Sequence, residues 1–186
     1  MRPVTLAVMD VTTATRVDDL SRRLADLGSV LVAFSGGADS AFLAAVARRA
    51  LGRDLVLAVT AVSPSLPAVE RSASGLVAAE IDVRHRTVVT HEAERVGYQA
   101  NGGDRCYFCK SELVEVLIPI ADAEGMAAVV TGTNADDALA GFRPGIRAAA
   151  ERGAVTPLRD AGLTKAEIRS VSRDWGLSTW DKPAAA

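Results

Sequence analysis

The 186-residue sequence predicts an α/β fold, three layers in which a parallel sheet carries helices on both faces. Three observations support this. Short runs rich in Val, Leu and Ala recur without polar alternation, as in strands buried on both sides. Segments with helical spacing separate these runs. Gly28, Gly52 and Gly176 stand where those helices should stop.

Taken in order, Val17–Leu27 carries Leu20, Leu24 and Leu27 at helical spacing. Ser29–Phe34 is a buried strand that runs into Ser35-Gly36-Gly37-Ala38-Asp39-Ser40 and then a helix from Asp39 to Leu51. That helix ends on Arg48 and Arg49, cations that suit a helix carboxyl end. Leu55–Val62 is the second strand. Pro67 to Glu80 is a helix weakened at Gly75, and Arg86–Thr90 is the third strand. A polar, Gly-rich stretch, Gly97 to Asp104, precedes a helix from Lys110 to Glu124 with a break in register expected at Pro119. Ala127–Thr131 is the fourth strand. Thr131 to Arg152 reads as loop plus short helix, and Ala154–Leu158 as a short edge strand. Thr164 to Trp175 is a helix opened by a Thr164/Glu167 capping box.

Composition narrows the class of protein. Hydrophobic residues make up 49% and charged residues 24% of the chain, the balance of a globular domain and not of a disordered segment. Twenty-one Lys and Arg stand against 23 Asp and Glu, a formal charge of −2, which excludes coating nucleic acid by bulk positive charge. No apolar run is long enough to span a bilayer, and Met1 to Thr15 lacks the apolar core of a signal peptide. Cys106 and Cys109 alone do not make a secreted disulfide framework. A cytoplasmic location with no membrane partner is expected.

In parallel sheets ligands bind beyond the carboxyl ends of the strands. The loop after the first strand is built for an anion. Gly36 and Gly37 allow a tight turn with N–H groups facing a ligand, and the helix dipole adds positive potential there. Ser35 and Ser40 add hydroxyl donors. No lysine lies within the loop, so it is not the GxxxxGK[ST] nucleotide loop. Asp39 is a candidate Mg²⁺ ligand, although an aspartate there is also an ordinary helix cap. After the fourth strand, Thr131-Gly132-Thr133-Asn134-Ala135-Asp136-Asp137 offers a glycine for close approach, with Asp136 as a second candidate metal ligand. Its bland alternative is a helix amino terminus capped by Asn134.

SGGxDS after a VAF strand resembles the PP-loop of the ATP pyrophosphatases, the adenine nucleotide α-hydrolase-like proteins with a Rossmann-like sheet. Further stretches narrow the likeness: Arg105-Cys106-Tyr107-Phe108-Cys109-Lys110, TGTNADD, Arg143-Pro144-Gly145, Glu151, Pro157-Leu158, Gly162-Leu163-Thr164-Lys165-Ala166-Glu167-Ile168-Arg169 and Trp180-Asp181-Lys182-Pro183. Together they resemble the LarE-type ATP-dependent sacrificial sulfur transferases from about Val17 onward. On that resemblance residues 1–16 are an N-terminal extension and 17–186 the PP-loop domain, with the family's C-terminal region absent.

The resemblance implies that ATP and Mg²⁺ are used to adenylate a carboxylate of a small nucleotide, pyridinium-3,5-biscarboxylic acid mononucleotide, with release of pyrophosphate. That is the first step of sulfur insertion in nickel-pincer cofactor synthesis. It implies Asp39, Ser40, Arg143 and Lys182 as catalytic residues. Ser35, Gly36, Gly37, Asp39, Ser40, Thr60, Val62, Gly132 and Asn134 would hold the nucleotide, the end of the second strand, Thr60, Ala61, Val62 and Ser63, passing the adenine with backbone contacts. Arg105, Lys110, Arg143 and Lys165 would bind the substrate, and the chain would assemble as a homo-oligomer. Lys165 and Arg169 share a helix face that is equally consistent with plain solvation.

The family's sulfur-donor cysteine follows the KPA segment, and here the sequence reads Lys182-Pro183-Ala184-Ala185-Ala186 with none. A piece of a longer protein is expected, with adenylation but not sulfur sacrifice resident in it. Cys106 and Cys109 are read as shaping the loop before the following helix. Two alternatives compete: an amide-forming PP-loop ligase of the NAD or GMP synthetase kind, and a nucleotide-binding module without turnover.

Overall fold

Val30, Leu31 and Val32 are all buried completely, although successive strand residues point to opposite faces. A strand of that kind needs a layer on each side. The computed structural model supplies both; it describes residues 10–62, 68–90, 105–139, 149–151 and 153–183, and all their side chains but those of 68–72, 105–110 and 138–139. Strand β1 (Val30–Ala33) lies between β2 (Val56–Val62) and β4 (Ala128–Thr131), and β3 (Arg84–Val89) flanks β2. All pairings are parallel, in the order β3-β2-β1-β4.

On one face, Val30, Val32, Val56 and Ala58 share a core with Leu20 and Leu24 of α1 (Val11–Leu27) and with Phe42 and Val46 of α2 (Ala38–Leu51). Val77 and Ala78 of α3 (Ala68–Ile81) close that layer. On the other face, Leu31, Leu57, Val59 and Val129 pack with Val114, Leu117 and Ala121 of α4 (Arg105–Ala123). The alternation of partners along β1 and β2 is the period of two expected of a strand. The predicted three-layer α/β fold is therefore the observed one.

The strand order fixes where a ligand can enter. The chain moves outward from β1 through β2 to β3, then returns to place β4 on the other side of β1. The loops leaving β1 and β4 thus part company above neighbouring strands and open a crevice. After β4 come the short α5 (Ala135–Leu139), α6 (Pro157–Asp160) and α7 (Lys165–Asp174), which also packs into the α1–α2 core through Ile168 and Val171.

Several boundaries differ from expectation. Helix α1 begins at Val11, six residues before Val17, because Asp10 caps it: its Oδ1 accepts the Thr12 and Thr13 N–H groups at 2.9 and 3.0 Å. Three threonines of low helix propensity disguise that first turn in the sequence. Strand β3 begins at Arg84, whose charge is carried by Glu124 at 2.6 Å. Helix α4 begins at Arg105 and runs through Pro119. The edge strand expected at Ala154–Leu158 is a single parallel bridge, Val130 to Val155, because Pro157 opens α6 instead. Among the described residues no helix is long and apolar enough to cross a membrane.

The capping box of α7 is present as predicted. Glu167 does more than cap. It also accepts from Arg16 at 2.7 and 2.9 Å and from Thr13 at 3.1 Å, tying α1 to α7. Burial alone would raise the Glu167 carboxyl, but hydrogen bonds from Thr164 and Thr13 and the Arg16 charge hold it below its ordinary value. A depressed carboxylate contributes stability that is present above the unfolded-state pKa and is lost as pH falls through the folded-state one. Glu167→Gln is expected to cost about 1–2 kcal/mol at pH 7. In urea denaturation across pH, that difference should shrink progressively below the ordinary carboxyl value of 4.5.

Candidate functional site

The loop between β1 and α2 is braced from within. The Ser40 hydroxyl donates to the Gly37 carbonyl at 3.2 Å and accepts the Ser35 N–H at 3.3 Å. The Ser35 hydroxyl lies 3.1 Å from that of Ser40 and accepts the Gly37 N–H at 3.3 Å. The two serines, expected as ligand donors, therefore first shape the loop. Gly36 has φ +68°, and a Cβ there would sit 3.0 Å from the Ser74 Cα of α3, so glycine is required twice over. Gly37 occupies the cap position of α2 with no side-chain hydrogen bond. Among the described residues no side chain thus caps the first-turn N–H groups of α2, where the helix dipole favours an anion.

Gly132 presses directly on this turn. A Cβ at Gly132 would lie 3.0 Å from the Ser40 nitrogen and 3.3 Å from the Ser40 Cα. The close approach that glycine permits here is thus to α2 itself. Just beyond, Asn134 and Asp137 exchange hydrogen bonds: the Asp137 N–H reaches Asn134 Oδ1 at 3.1 Å, and the Asn134 N–H reaches Asp137 Oδ2 at 3.2 Å. That reciprocal box caps α5, and the Asp137 charge adds to the burial that raises the Asp39 carboxyl. Asp136, expected to share the metal, accepts the Lys165 N–H at 2.8 Å through Oδ2 at the start of α7.

Three cations converge on the loop from α7 and the segment after it. Lys165 Nζ is 3.8 Å from Asp39 Oδ2. Lys182 Nζ donates to the Gly36 carbonyl at 3.0 Å. Arg169 Nη2 donates to the Lys182 carbonyl at 2.8 Å, so Arg169 is not the solvated residue its helix face allowed. The loop has no lysine of its own, and Lys182 brings one from the far end of the chain.

Asp39 is the strained member of this group. Burial raises its carboxyl above the ordinary value; Lys165 opposes that, Asp137 adds to it, and Asn134 and Arg169 oppose it. Its Oδ1 is buried without a hydrogen-bond partner among the described residues. A buried, unsatisfied carboxylate oxygen near a second carboxylate is what a hard divalent cation completes. Among the described residues no three His, Cys, Asp or Glu side chains form a metal cluster. Mg²⁺ takes one or two carboxylates and completes its shell with phosphates and water.

The end of the second strand, Thr60 to Ser63, was expected to meet adenine through its main chain; Ser63 lies outside the described residues. Thr60 and Val62 are buried, with their main chain toward β3: the Thr90 N–H donates to the Val62 carbonyl. The β1 ladder ends where Phe34 N–H donates to the Val59 carbonyl, two residues before Ala61. By alternation, the main-chain edge of β2 beyond β1 belongs to Ala61. The Thr60 hydroxyl pairs with His85 Nε2 at 2.8 Å, and burial pushes the His85 pKa down, keeping the ring neutral. The side chains of Arg105, Cys106, Cys109, Lys110 and Arg143 lie outside the described residues.

A cleft of about 310 Å³ lies at the opposite end of α2, lined by Arg48, Arg49, Glu80 and Trp175 among others. There the Arg49 guanidinium stacks 3.4 Å above the Trp175 ring.

No family model matches the chain. It is 44% identical over 169 residues to an uncharacterized protein of Synechocystis, covering 91% of this chain and 62% of that protein. It is 33% identical over 174 residues to the pyridinium-3,5-bisthiocarboxylic acid mononucleotide synthase of Lactiplantibacillus plantarum, covering 94% of this chain and 63% of that synthase. The chain is similar to this synthase along nearly its whole length. It spans somewhat under two thirds of the length of these relatives. Its fold matches the NMN synthetase of Francisella tularensis with a TM-score of 0.71 at 16% identity, covering 94% of this chain and 74% of that one. It matches the NH3-dependent NAD synthetase of Campylobacter jejuni with a TM-score of 0.67 at 16% identity, covering 90% of this chain and 73% of that one.

Gly132→Ala is expected to cost about 1–3 kcal/mol of stability by forcing α2 off β4, measurable by denaturant unfolding. Asp39→Asn is expected to act in the other direction. A raised carboxyl favours the folded state below the unfolded-state pKa of about 3.8, and that contribution is lost as pH rises through the folded-state value. The ligand-free variant should therefore melt higher than the wild type at pH 7, with the gap closing toward pH 3–4. Thermal melts at several pH values check this.

Proposed function

We propose that this chain is an ATP-using enzyme that adenylates a substrate carboxylate and releases pyrophosphate. The observation that carries the proposal is the uncapped amino terminus of α2, approached by Lys182 on one side and by the Asp39–Lys165 pair on the other. The homology to the synthase supports it, and the finer substrate it suggests is pyridinium-3,5-biscarboxylic acid mononucleotide.

The residues divide the work by charge. The N–H groups of Ala38, Asp39 and Ser40 and the Lys182 ammonium take the negative charge of the departing pyrophosphate. Asp39 and Asp137 would hold Mg²⁺, which when bound shields the phosphate charges from one another. The Ala61 main chain meets the adenine edge. Lys165, with Arg143, Arg105 and Lys110, would orient the anionic acceptor. A carboxylate oxygen of the acceptor attacks the α-phosphorus, the bond from that phosphorus to the α–β bridging oxygen breaks, and pyrophosphate leaves with the bridging oxygen. The acyl adenylate so formed is an electrophile that a thiolate can attack, expelling AMP. The free carboxylate is not.

The test is pyrophosphate release from Mg·ATP, with and without pyridinium-3,5-biscarboxylic acid mononucleotide, and with ammonia in a third arm. Release that requires the pyridinium carboxylate is expected. Release that requires ammonia would favour an amide-forming ligase, and cleavage to ADP and phosphate would contradict the PP-loop chemistry. Asp39→Asn should lower the rate of pyrophosphate release by about 10²-fold or more; an unchanged rate would remove Asp39 from the site.

A further inference from the structure

Lys182 stands on a segment outside regular secondary structure, yet its ammonium is placed on a loop carbonyl 146 positions away in sequence. A lysine side chain has four rotatable bonds and loses much freedom when it is fixed. Something must first fix its backbone. Arg169 does so. One helical turn after Lys165 on α7, it donates through Nη2 to the Lys182 carbonyl at 2.8 Å. Its Nε is buried and has no hydrogen-bond partner among the described residues, so the guanidinium is held in place although one donor goes unused. A group left unsatisfied in this way is costly, and it is retained here beside the phosphate loop.

The rest of the segment is anchored from the opposite side. The Ser178 N–H donates to Glu80 Oε1 of α3 at 2.8 Å, and the Ser178 hydroxyl donates to Glu80 Oε2. Between the anchors Leu177 and Thr179 are buried, and the Lys182 N–H returns to the Thr179 carbonyl at 3.2 Å. The strap 177–183 is thus pinned at Glu80 and at Arg169, with the Lys182 side chain as its working end.

We propose that Arg169 is the positioning residue for phosphate capture: through the Lys182 carbonyl it sets the Lys182 ammonium over the Gly36 loop, where the ammonium exchanges the Gly36 carbonyl for a phosphate oxygen. This rests on the nucleotide site proposed above. Arg169 itself touches no phosphate. Its guanidinium fork, not its charge alone, does the placing, because a lysine at 169 offers one compact donor in place of a rigid planar one.

The experiment is calorimetric binding of Mg·pyrophosphate, Mg·ATP and adenosine to the wild-type chain, Arg169→Lys, Arg169→Ala, Lys182→Ala and the Arg169→Ala/Lys182→Ala double variant. Arg169→Ala and Arg169→Lys should each weaken both phosphate ligands about tenfold and leave adenosine unchanged. The double variant should bind no more weakly than Lys182→Ala alone, the full non-additivity expected when one residue acts through another. Losses that add in the double variant would mean that Arg169 contacts phosphate directly. Equal loss of adenosine binding would mean that it merely holds the fold. Full affinity in Arg169→Lys would mean that charge alone suffices. Each of these overturns the positioning role while leaving the nucleotide site standing. Failure of the wild type to bind either phosphate ligand would overturn the site itself, and Arg169's role with it. Should Arg169→Ala not fold, Arg169→Lys, alone and combined with Lys182→Ala, carries the same comparison.

Discussion

The contact between Gly132 and the first turn of α2 is the constraint on which the rest of this site depends. A missing side chain lets the β4 loop lie so close to α2 that a Cβ at Gly132 would stand 3.0 Å from the Ser40 nitrogen. That closeness sets the crevice between β1 and β4, and with it the separation of Asp39 from Asp137 and of α2 from α7. Gly36 does the same on the opposite flank, where Ser74 leaves no room for a Cβ. The loop is clamped between two glycine contacts, one to each neighbouring element. Its serines brace the turn by accepting the Ser35 and Gly37 N–H groups, and among the described residues no side chain caps the first turn of α2.

Such a loop is preorganised at a cost in the ligand-free chain. Asp39 is half-buried with an unsatisfied oxygen, near a second carboxylate and only loosely paired with Lys165. Helix amino terminus, lysines and carboxylates together form a site of mixed sign: cationic where phosphate would lie, anionic where Mg²⁺ would bridge. Neither half is satisfied without the other. The packing elsewhere absorbs this strain. Two continuous apolar layers hold β1 and β2, and Glu167 joins α1 to α7 by a part-buried network.

Much of this was legible in the sequence. The buried strands announced themselves by unbroken apolar runs, and the SGGADS turn by two glycines where one would serve a plain connection. The capping box at Thr164 and Glu167 was readable to the residue. What failed to read had physical causes. Asp136 and Asp137 are adjacent and chemically identical, and only the turn of α5 decides that Asp136 meets the Lys165 N–H and Asp137 the Asn134 N–H. Thr60 to Ser63 read only as a group, because the ladder's register, which turns the Ala61 main chain away from β3, leaves no mark in the sequence. Arg169 read equally as a substrate contact and as a solvated residue beside Lys165, because its partner is a main-chain carbonyl and carbonyls leave no mark in a sequence. The first turn of α1 was hidden by threonines that a single aspartate cap rescues.

The central claim is that phosphate binds at the amino terminus of α2, and amide chemical shifts report it directly. Mg·pyrophosphate would be titrated into the ¹⁵N-labelled chain. The largest changes are predicted at Gly36, Gly37, Asp39 and Ser40, with a smaller set at Lys165 and Lys182. Changes concentrated instead around Arg48, Arg49 and Trp175, at the other end of the same helix, would contradict the account.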